Sequence, residues 1–120
     1  MRTIIAGSRA ITDPAIVKEA IESCGWTPTL VISGCARGVD WLGVRWARQH
    51  GIPIEQFPAL WERHGRSAGF VRNEDMAARA EALIAIWDGE SRGTKHMIET
   101  ARKRGLATYV KTVDVSQLRR

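Results

Sequence analysis

The sequence has too little cysteine and too few long apolar runs for several large classes of protein. Its 120 residues contain two cysteines, Cys24 and Cys35, which are too few for a disulfide framework or a cysteine-rich metal site. No segment comes near the roughly 20 apolar residues that a membrane span needs. The first apolar run, residues 3–6, breaks at Gly7 and is too short for a signal peptide. We therefore expect a cytoplasmic protein that contacts no membrane and binds no metal.

Familiar nucleotide-binding and catalytic motifs are also missing. The first strand-to-helix turn lacks the G-x-G-x-x-G pattern, and the second strand does not end in an acidic residue for a ribose, which disfavours an ordinary NAD-binding domain. Residues 89–95 lack the spacing of a P-loop. We find no H-E-x-x-H and no Ser-His-Asp pattern. The sequence therefore predicts no cofactor, and no role is predicted for the isolated histidines, His50, His64 and His96.

The composition is that of one globular domain with a basic surface. Hydrophobic residues make up 44% and charged residues 26% of the chain, and the formal net charge is +5. A basic balance suits anionic partners such as nucleotides or nucleic acid, although five excess charges are also compatible with an ordinary protein surface. A domain of this size has room for an open-edged ligand site, or for one that a second subunit completes.

Short apolar runs alternate with amphipathic stretches along the chain. The runs predict strands at residues 3–6, 29–33, 53–58, 82–87 and 107–111. Helices are expected from Asp13-Pro14 to Gly25, from the turn at 34–40 to about His50, over 68–80 and over 94–104, with a loop at 59–67. This order predicts an α/β, Rossmann-like three-layer sandwich over residues 1–112, with about five parallel strands in the order 3-2-1-4-5 and helices on both faces. Residues 113–120 are expected to be a C-terminal tail.

The first two strand-to-helix turns contain candidate phosphate ligands. Ligands of such sheets bind outside the carboxyl ends of the strands, where both turns lie. Glycines let the backbone approach a ligand, an arginine fork suits phosphate, and backbone N–H groups at a helix start attract anions. Asp40 is better placed to accept backbone hydrogen bonds than to do chemistry. The candidates are Gly7, Ser8, Arg9, Ser33, Gly34, Arg37, Gly38 and Asp40.

Two further segments at the same edge add candidates. In residues 69–76, Arg72 and Asn73 stand near a helix start, and residues 88–94 again place glycines and hydroxyls before a helix. Asp88 is suited to accept a ribose hydroxyl or to act as a general base. Trp61, in the preceding loop, either stacks on a base or belongs to a core or an interface. The binding candidates here are Arg72, Asn73, Gly89, Ser91, Gly93 and Thr94.

The four motifs in this order resemble the SLOG superfamily, which includes the lonely-guy phosphoribohydrolases and the DNA-processing protein DprA. They are most similar to its small YspA/YpsA-related branch, whose pattern is G-S-R, S-G-x-A-x-G-x-D, A-G-x-x-R-N-x-x-M and G-x-x-x-G-T. Here these segments are residues 7–9, 33–40, 68–76 and 88–94. The resemblance implies a Rossmann-like fold, a nucleotide-derived ligand (a nucleoside monophosphate, NAD or an ADP-ribose-like molecule) and a homodimer.

One family feature is altered, and it leaves the activity open. Lonely-guy enzymes carry P-G-G-x-G-T-x-x-E, whereas Lys95, His96 and Met97 follow Gly93-Thr94 here and the first acidic residue is Glu99. Asp88 and Glu99 are therefore the catalytic candidates. Three hypotheses follow: a nucleotide-binding sensor or processing module, an N-glycosidic phosphoribohydrolase of nucleoside monophosphates, and a DprA-like protein that binds single-stranded DNA.

Overall fold

The computed structural model describes residues 1–114 as one five-stranded parallel sheet flanked by helices. The strands are β1 (Arg2–Gly7), β2 (Leu30–Ser33), β3 (Ile54–Gln56), β4 (Ala82–Trp87) and β5 (Ala107–Thr112). The helices are α1 (Pro14–Ser23), α2 (Val39–Gln49), α3 (Trp61–His64), α4 (Ala68–Arg79) and α5 (Arg92–Lys103). The strand order is β3-β2-β1-β4-β5, so the predicted fold class and sheet order are confirmed.

The central strands β1 and β4 are mostly apolar because both of their faces are covered. Ile4 and Leu83 face one core layer, which α4 and α5 complete. Ile5 and Ile84 face the other core layer, which α1 and α2 complete. This alternation places helices on both faces of the sheet, as expected for parallel strands.

Capping residues set where α1 and α5 begin. Asp13 Oδ1 accepts a hydrogen bond from the Ala15 N–H at 2.9 Å, and Pro14 is the first residue of α1, so the predicted start of this helix is confirmed. The last helix starts earlier than the sequence predicts, at Arg92, because Ser91 caps it and its Oγ accepts from the Thr94 N–H at 3.3 Å.

The segment predicted as a loop at 59–67 is largely helical. It contains α3 and a 3₁₀ turn at Gly65–Ser67, which lead directly into α4. Of the predicted tail at 113–120, residues 115–120 lie outside the described part of the chain, and the Val113 N–H donates to Trp87 O at 2.8 Å. Within residues 1–114, no helix is both long and apolar enough to cross a bilayer.

The topology places the switch point of the sheet between β1 and β4. From β1 the chain builds outward through β2 and β3, then returns to the other side of β1 and continues through β4 and β5. The order of strands therefore reverses between β1 and β4, and the turns that follow them diverge to opposite faces. A crevice at such a switch point is the usual ligand site of an open parallel sheet.

Candidate functional site

A cleft of about 450 Å³ opens at the carboxyl ends of β1 and β4. Its walls come from the turns after β1, β2 and β4 and from one side of α4, and its floor includes the buried side chains of Met76 and Met97. The predicted site residues that line it are Gly7, Arg9, Asp40, Arg72, Asn73, Asp88, Ser91, Gly93 and Thr94. The four sequence motifs therefore meet in one place.

The remaining candidates lie elsewhere. Gly34 and Arg37 line a neighbouring groove, and Ser8, Ser33 and Gly38 are engaged within the protein. Gly89 is at the exposed tip of the β4–α5 turn and does not line the cleft. Glu99 is on the exposed side of α5, with Oε1 4.0 Å from Lys95 Nζ, and it does not reach the cleft either.

Ser8 ties the ends of the two central strands together. Its side chain is only 1% exposed, its N–H donates to Ile86 O at 3.0 Å, and its Oγ accepts from the Asp88 N–H at 3.0 Å. These hydrogen bonds hold the β4–α5 turn against the β1–α1 turn. Ser8 therefore shapes the cleft from behind rather than facing into it.

Gly7 and Gly38 allow elements of the protein itself to come close together. A Cβ on Gly7 would overlap Ile86 O and the Val39 side chain. Gly38 has a φ of +71°, and a Cβ there would lie 2.5 Å from Ser8 O. Glycine is thus required where the start of α2 packs on the β1–α1 turn.

Arg72 bridges α4 and the β2–α2 turn at the rim of the cleft. Its Nη1 donates to Gly34 O at 2.6 Å, and its Nε donates to Asn73 Oδ1 at 3.1 Å. No hydrogen bond joins Nη2 to residues 1–114. The guanidinium is therefore fixed in position while one of its nitrogens remains available to a ligand.

Asn73 links α4 to α5 behind Arg72. Its side chain is 4% exposed, and Nδ2 lies 3.2 Å from Gly93 O and 3.1 Å from His96 Nδ1. His96 in turn stacks on Phe70, with 4.3 Å between ring centroids. No sequence pattern indicates this role for His96, since its partners Asn73 and Phe70 are on another helix more than 20 residues away.

Asp40 is buried beside the cleft and only 5% exposed. Its Oδ2 accepts a hydrogen bond from the Ala36 N–H at 3.3 Å, within the β2–α2 turn. Burial raises the pKa of Asp40 above its usual value, although the Ala36 N–H, Arg72, the Gly7 N–H and Arg9 each act in the opposite direction. The charge of this carboxylate is thus partly offset by two arginines at the cleft.

Asp88 organises the β4–α5 turn. Its Oδ1 accepts hydrogen bonds from the N–H groups of Glu90 and Ser91, each at 2.8 Å. Burial acts to raise its pKa, but the hydrogen bonds from Ser91, Glu90 and the Ser8 hydroxyl outweigh burial and lower the pKa below its usual value. Asp88 therefore presents an ionised carboxylate to the cleft at neutral pH.

Positive charge at the cleft comes from side chains and from a helix start. Arg9 is exposed and makes no hydrogen bond or ion pair with residues 1–114. The first N–H groups of a helix lack partners inside it. Ser91 Oγ satisfies that of Thr94, whereas the N–H of Gly93 has no partner in the described chain. Because Gly93 also lines the cleft, this site combines arginines with a free backbone donor.

Comparison with known proteins identifies the family. A profile of the YAcAr family (YspA, cpYpsA-related SLOG family) matches residues 1–64. The chain belongs to this SLOG family. It is 38% identical over 114 residues to the Gene 61 protein of Mycobacterium phage D29. This alignment covers 88% of this chain and 91% of the phage protein. The SLOG resemblance inferred from the four motifs is thus confirmed.

The SLOG fold also appears in a solved structure, that of DNA processing protein A (DprA) from Streptococcus pneumoniae. The TM-score is 0.73 and the sequence identity 18%, with 91% of this chain covered. This chain spans about half of DprA, since the match covers 49% of that protein. The likeness establishes a shared fold.

Proposed function

We propose that this SLOG protein binds a phosphate-bearing nucleotide or nucleotide-derived ligand in the cleft, as a sensor or processing module. The observation that carries the proposal is the meeting of Arg9, Arg72 and the Gly93 N–H at the β1–β4 switch point. Three donors of positive or partial positive charge around one cavity form an anion site, and a phosphate group accepts hydrogen bonds from both arginine forks and backbone N–H groups.

The other walls of the cleft fit the sugar that would accompany a phosphate. The ionised Asp88 is an acceptor for ribose hydroxyl groups, and its two backbone hydrogen bonds hold it in place. Met76 and Met97 supply an apolar floor against which a sugar ring can pack. We therefore assign the phosphate to the Arg72 side of the cleft and the ribose to the Asp88 side.

Binding is better supported than hydrolysis. An N-glycosidic hydrolase needs a carboxylate to stabilise the ribosyl cation or orient water, and a separate group to protonate the leaving base. Asp88 suits the first role, but its lowered pKa makes it a poor acid at neutral pH. Glu99, the other catalytic candidate, pairs with Lys95 away from the cleft.

Calorimetry tests the binding proposal directly. We expect AMP, NAD or ADP-ribose to bind the wild-type protein, and Arg9→Ala to weaken the affinity about tenfold through loss of one charge-assisted contact. Arg102→Ala, an exposed position on the last turn of α5, is the matched control and should leave the affinity unchanged. If none of the three nucleotides binds at millimolar concentration, the proposal fails. Chromatography of the same mixtures shows whether a base is released and whether Asp88→Asn stops the release.

Single-stranded DNA is the second candidate ligand. The net charge of +5 and the fold shared with DprA favour it, whereas two carboxylates in the cleft oppose a phosphate chain there. Oligonucleotide binding measured across a salt series would show a steep loss of affinity if phosphates supply the contacts. The homodimer implied by the family resemblance stays a prediction, which sedimentation analysis can check.

A further inference from the structure

A second groove of about 280 Å³ continues from the cleft. Arg9, Ala36 and Arg72 line both cavities, so the two meet at a shared ridge. Beyond this ridge the groove is bordered by Arg37 and by Trp61 at the start of α3. A ligand bound in the cleft can therefore extend past the two shared arginines without leaving the surface.

The charged side chains of the groove are all positive, whereas the cleft contains both positive and negative side chains. Arg9, Arg37 and Arg72 line it, and no acidic residue of the described chain does. Arg37, like Arg9, is exposed and makes no hydrogen bond or ion pair with residues 1–114. The cleft, by contrast, contains both Asp40 and Asp88. Additional negative charge on a ligand is therefore better accommodated in the groove than deeper in the cleft.

Trp61 offers a planar apolar surface beside this charge. It is 55% exposed, and the edge of its ring comes close to Gly69 in the first turn of α4. A Cβ on Gly69 would lie 4.0 Å from Trp61 Cη2 and 3.7 Å from Arg72 Nη2, so the indole and the guanidinium approach the same glycine. An exposed indole next to arginines that form no ion pair with residues 1–114 suits a nucleobase, whose flat face stacks on aromatic rings.

Building on the function proposed above, we propose that the groove is a second subsite, and that the ligand is a nucleotide with a pyrophosphate linkage. The phosphorylated ribose occupies the cleft, and the pyrophosphate crosses the ridge between Arg9 and Arg72. Arg37 neutralises the phosphate on the groove side. The nucleobase stacks on Trp61.

A small dinucleotide-type ligand fits these cavities better than a continuous polynucleotide. The cleft has a closed floor of Met76 and Met97, each only 1% exposed, and carboxylates on its walls. A phosphate chain that passed through the cleft would meet Asp40 and Asp88. The ligand therefore has one end in the cleft and its remaining charge in the groove.

Two probes of different length separate the subsites by calorimetry. Ribose 5-phosphate reaches only the cleft, whereas ADP-ribose reaches both cavities. We expect Trp61→Ala to weaken ADP-ribose binding about tenfold, Trp61→Phe to weaken it less because stacking is kept, and Arg37→Ala to weaken it severalfold. None of these variants should change the affinity for ribose 5-phosphate. Trp41→Ala is the matched control, since Trp41 is 52% exposed on α2 and lines neither cavity.

Each other outcome overturns the inference in a recognisable way. An unchanged ADP-ribose affinity in Trp61→Ala would remove the second subsite and leave the proposed cleft function intact. An equal loss for both probes would show that Trp61 acts through the shape of the cleft. If oligothymidylate binds in a Trp61-dependent manner while ADP-ribose does not bind, the groove is a single-stranded DNA site. If neither probe binds the wild-type protein, the proposed function fails with the inference.

Discussion

Replacing Arg72 with alanine is the most informative single change, because this side chain has structural contacts as well as the proposed role in binding. The variant loses the hydrogen bonds to Gly34 O at 2.6 Å and Asn73 Oδ1 at 3.1 Å, together with Nη2, the guanidinium nitrogen that makes no hydrogen bond with residues 1–114. A hydrogen bond that involves a charged group contributes about 1.5–3 kcal/mol. Loss of one such ligand contact should therefore weaken nucleotide binding about 10- to 150-fold.

The same variant should be only moderately less stable. Gly34 O and Asn73 Oδ1 lose their donor, but Arg72 is half-buried and water can enter the space that it leaves. We expect the free energy of unfolding to fall by about 1–2 kcal/mol. Removing the positive charge should also raise the pKa of Asp40 further, because Arg72 is among the groups that lower it.

Calorimetry with ADP-ribose and urea denaturation measure the two effects separately. Arg72→Lys keeps the charge but cannot make both hydrogen bonds with one planar group, so it should recover only part of the affinity. Arg79→Ala is the control on the same helix, where the side chain pairs with Glu55 on the surface at 3.0 Å. That change should lower the free energy of unfolding by less than about 1 kcal/mol and leave ADP-ribose affinity unchanged. An Arg72→Ala protein that is folded and binds ADP-ribose as tightly as the wild type would refute the reasoning.

Two further changes test the cleft and its buried charge. A Cβ on Gly93 would meet no atom within 4 Å, so Gly93→Leu should fold normally, with an unchanged denaturation midpoint. The leucine side chain should occupy the cleft and abolish nucleotide binding. Retained affinity would place the ligand elsewhere. The pKa of Asp40 is raised in the folded state, so its contribution to stability is complete below its unfolded pKa and declines as the pH rises through the folded value. Denaturation across pH should therefore show that the free energy of unfolding of Asp40→Asn rises relative to that of the wild type as pH increases. The opposite trend would mean that the effect of Arg72 and Arg9 on the pKa of Asp40 outweighs the effect of burial.

The fold was predictable because its signals are local and agree with one another. The apolar runs of β1 and β4 have no polar alternation, which only a strand covered on both faces allows. Asp13 and Ser91 mark helix starts because their side chains accept hydrogen bonds from the first turn of the helix. Pro14 marks the start of α1 because its φ is already fixed near the helical value. In a parallel sheet, every turn that follows a strand is then at the same edge, so the meeting of the motifs followed from the topology.

The detailed roles of the motif residues were not predictable, since they depend on contacts between distant segments. The sequence predicts that Gly7 lets the backbone approach a ligand. In the structure, a Cβ at this position would overlap Ile86 O, nearly 80 residues away. Ser8 reads as a phosphate ligand, but its hydroxyl accepts from the Asp88 N–H. Arg72 is 38 residues from Gly34, and no spacing in the sequence reveals their hydrogen bond.

The two arginines of the cleft differ in how much order they already have. Arg72 is held by Gly34 and Asn73 before any ligand arrives, so binding costs it little side-chain freedom. Arg9 makes no hydrogen bond or ion pair with residues 1–114 and must be ordered on binding, which costs about 0.5–1.5 kcal/mol for a long side chain. In the proposed binding mode, Arg72 therefore contributes geometry as well as charge, whereas Arg9 contributes mainly charge. This difference is the physical reason why lysine should substitute poorly at position 72, where the fixed fork of the guanidinium matters.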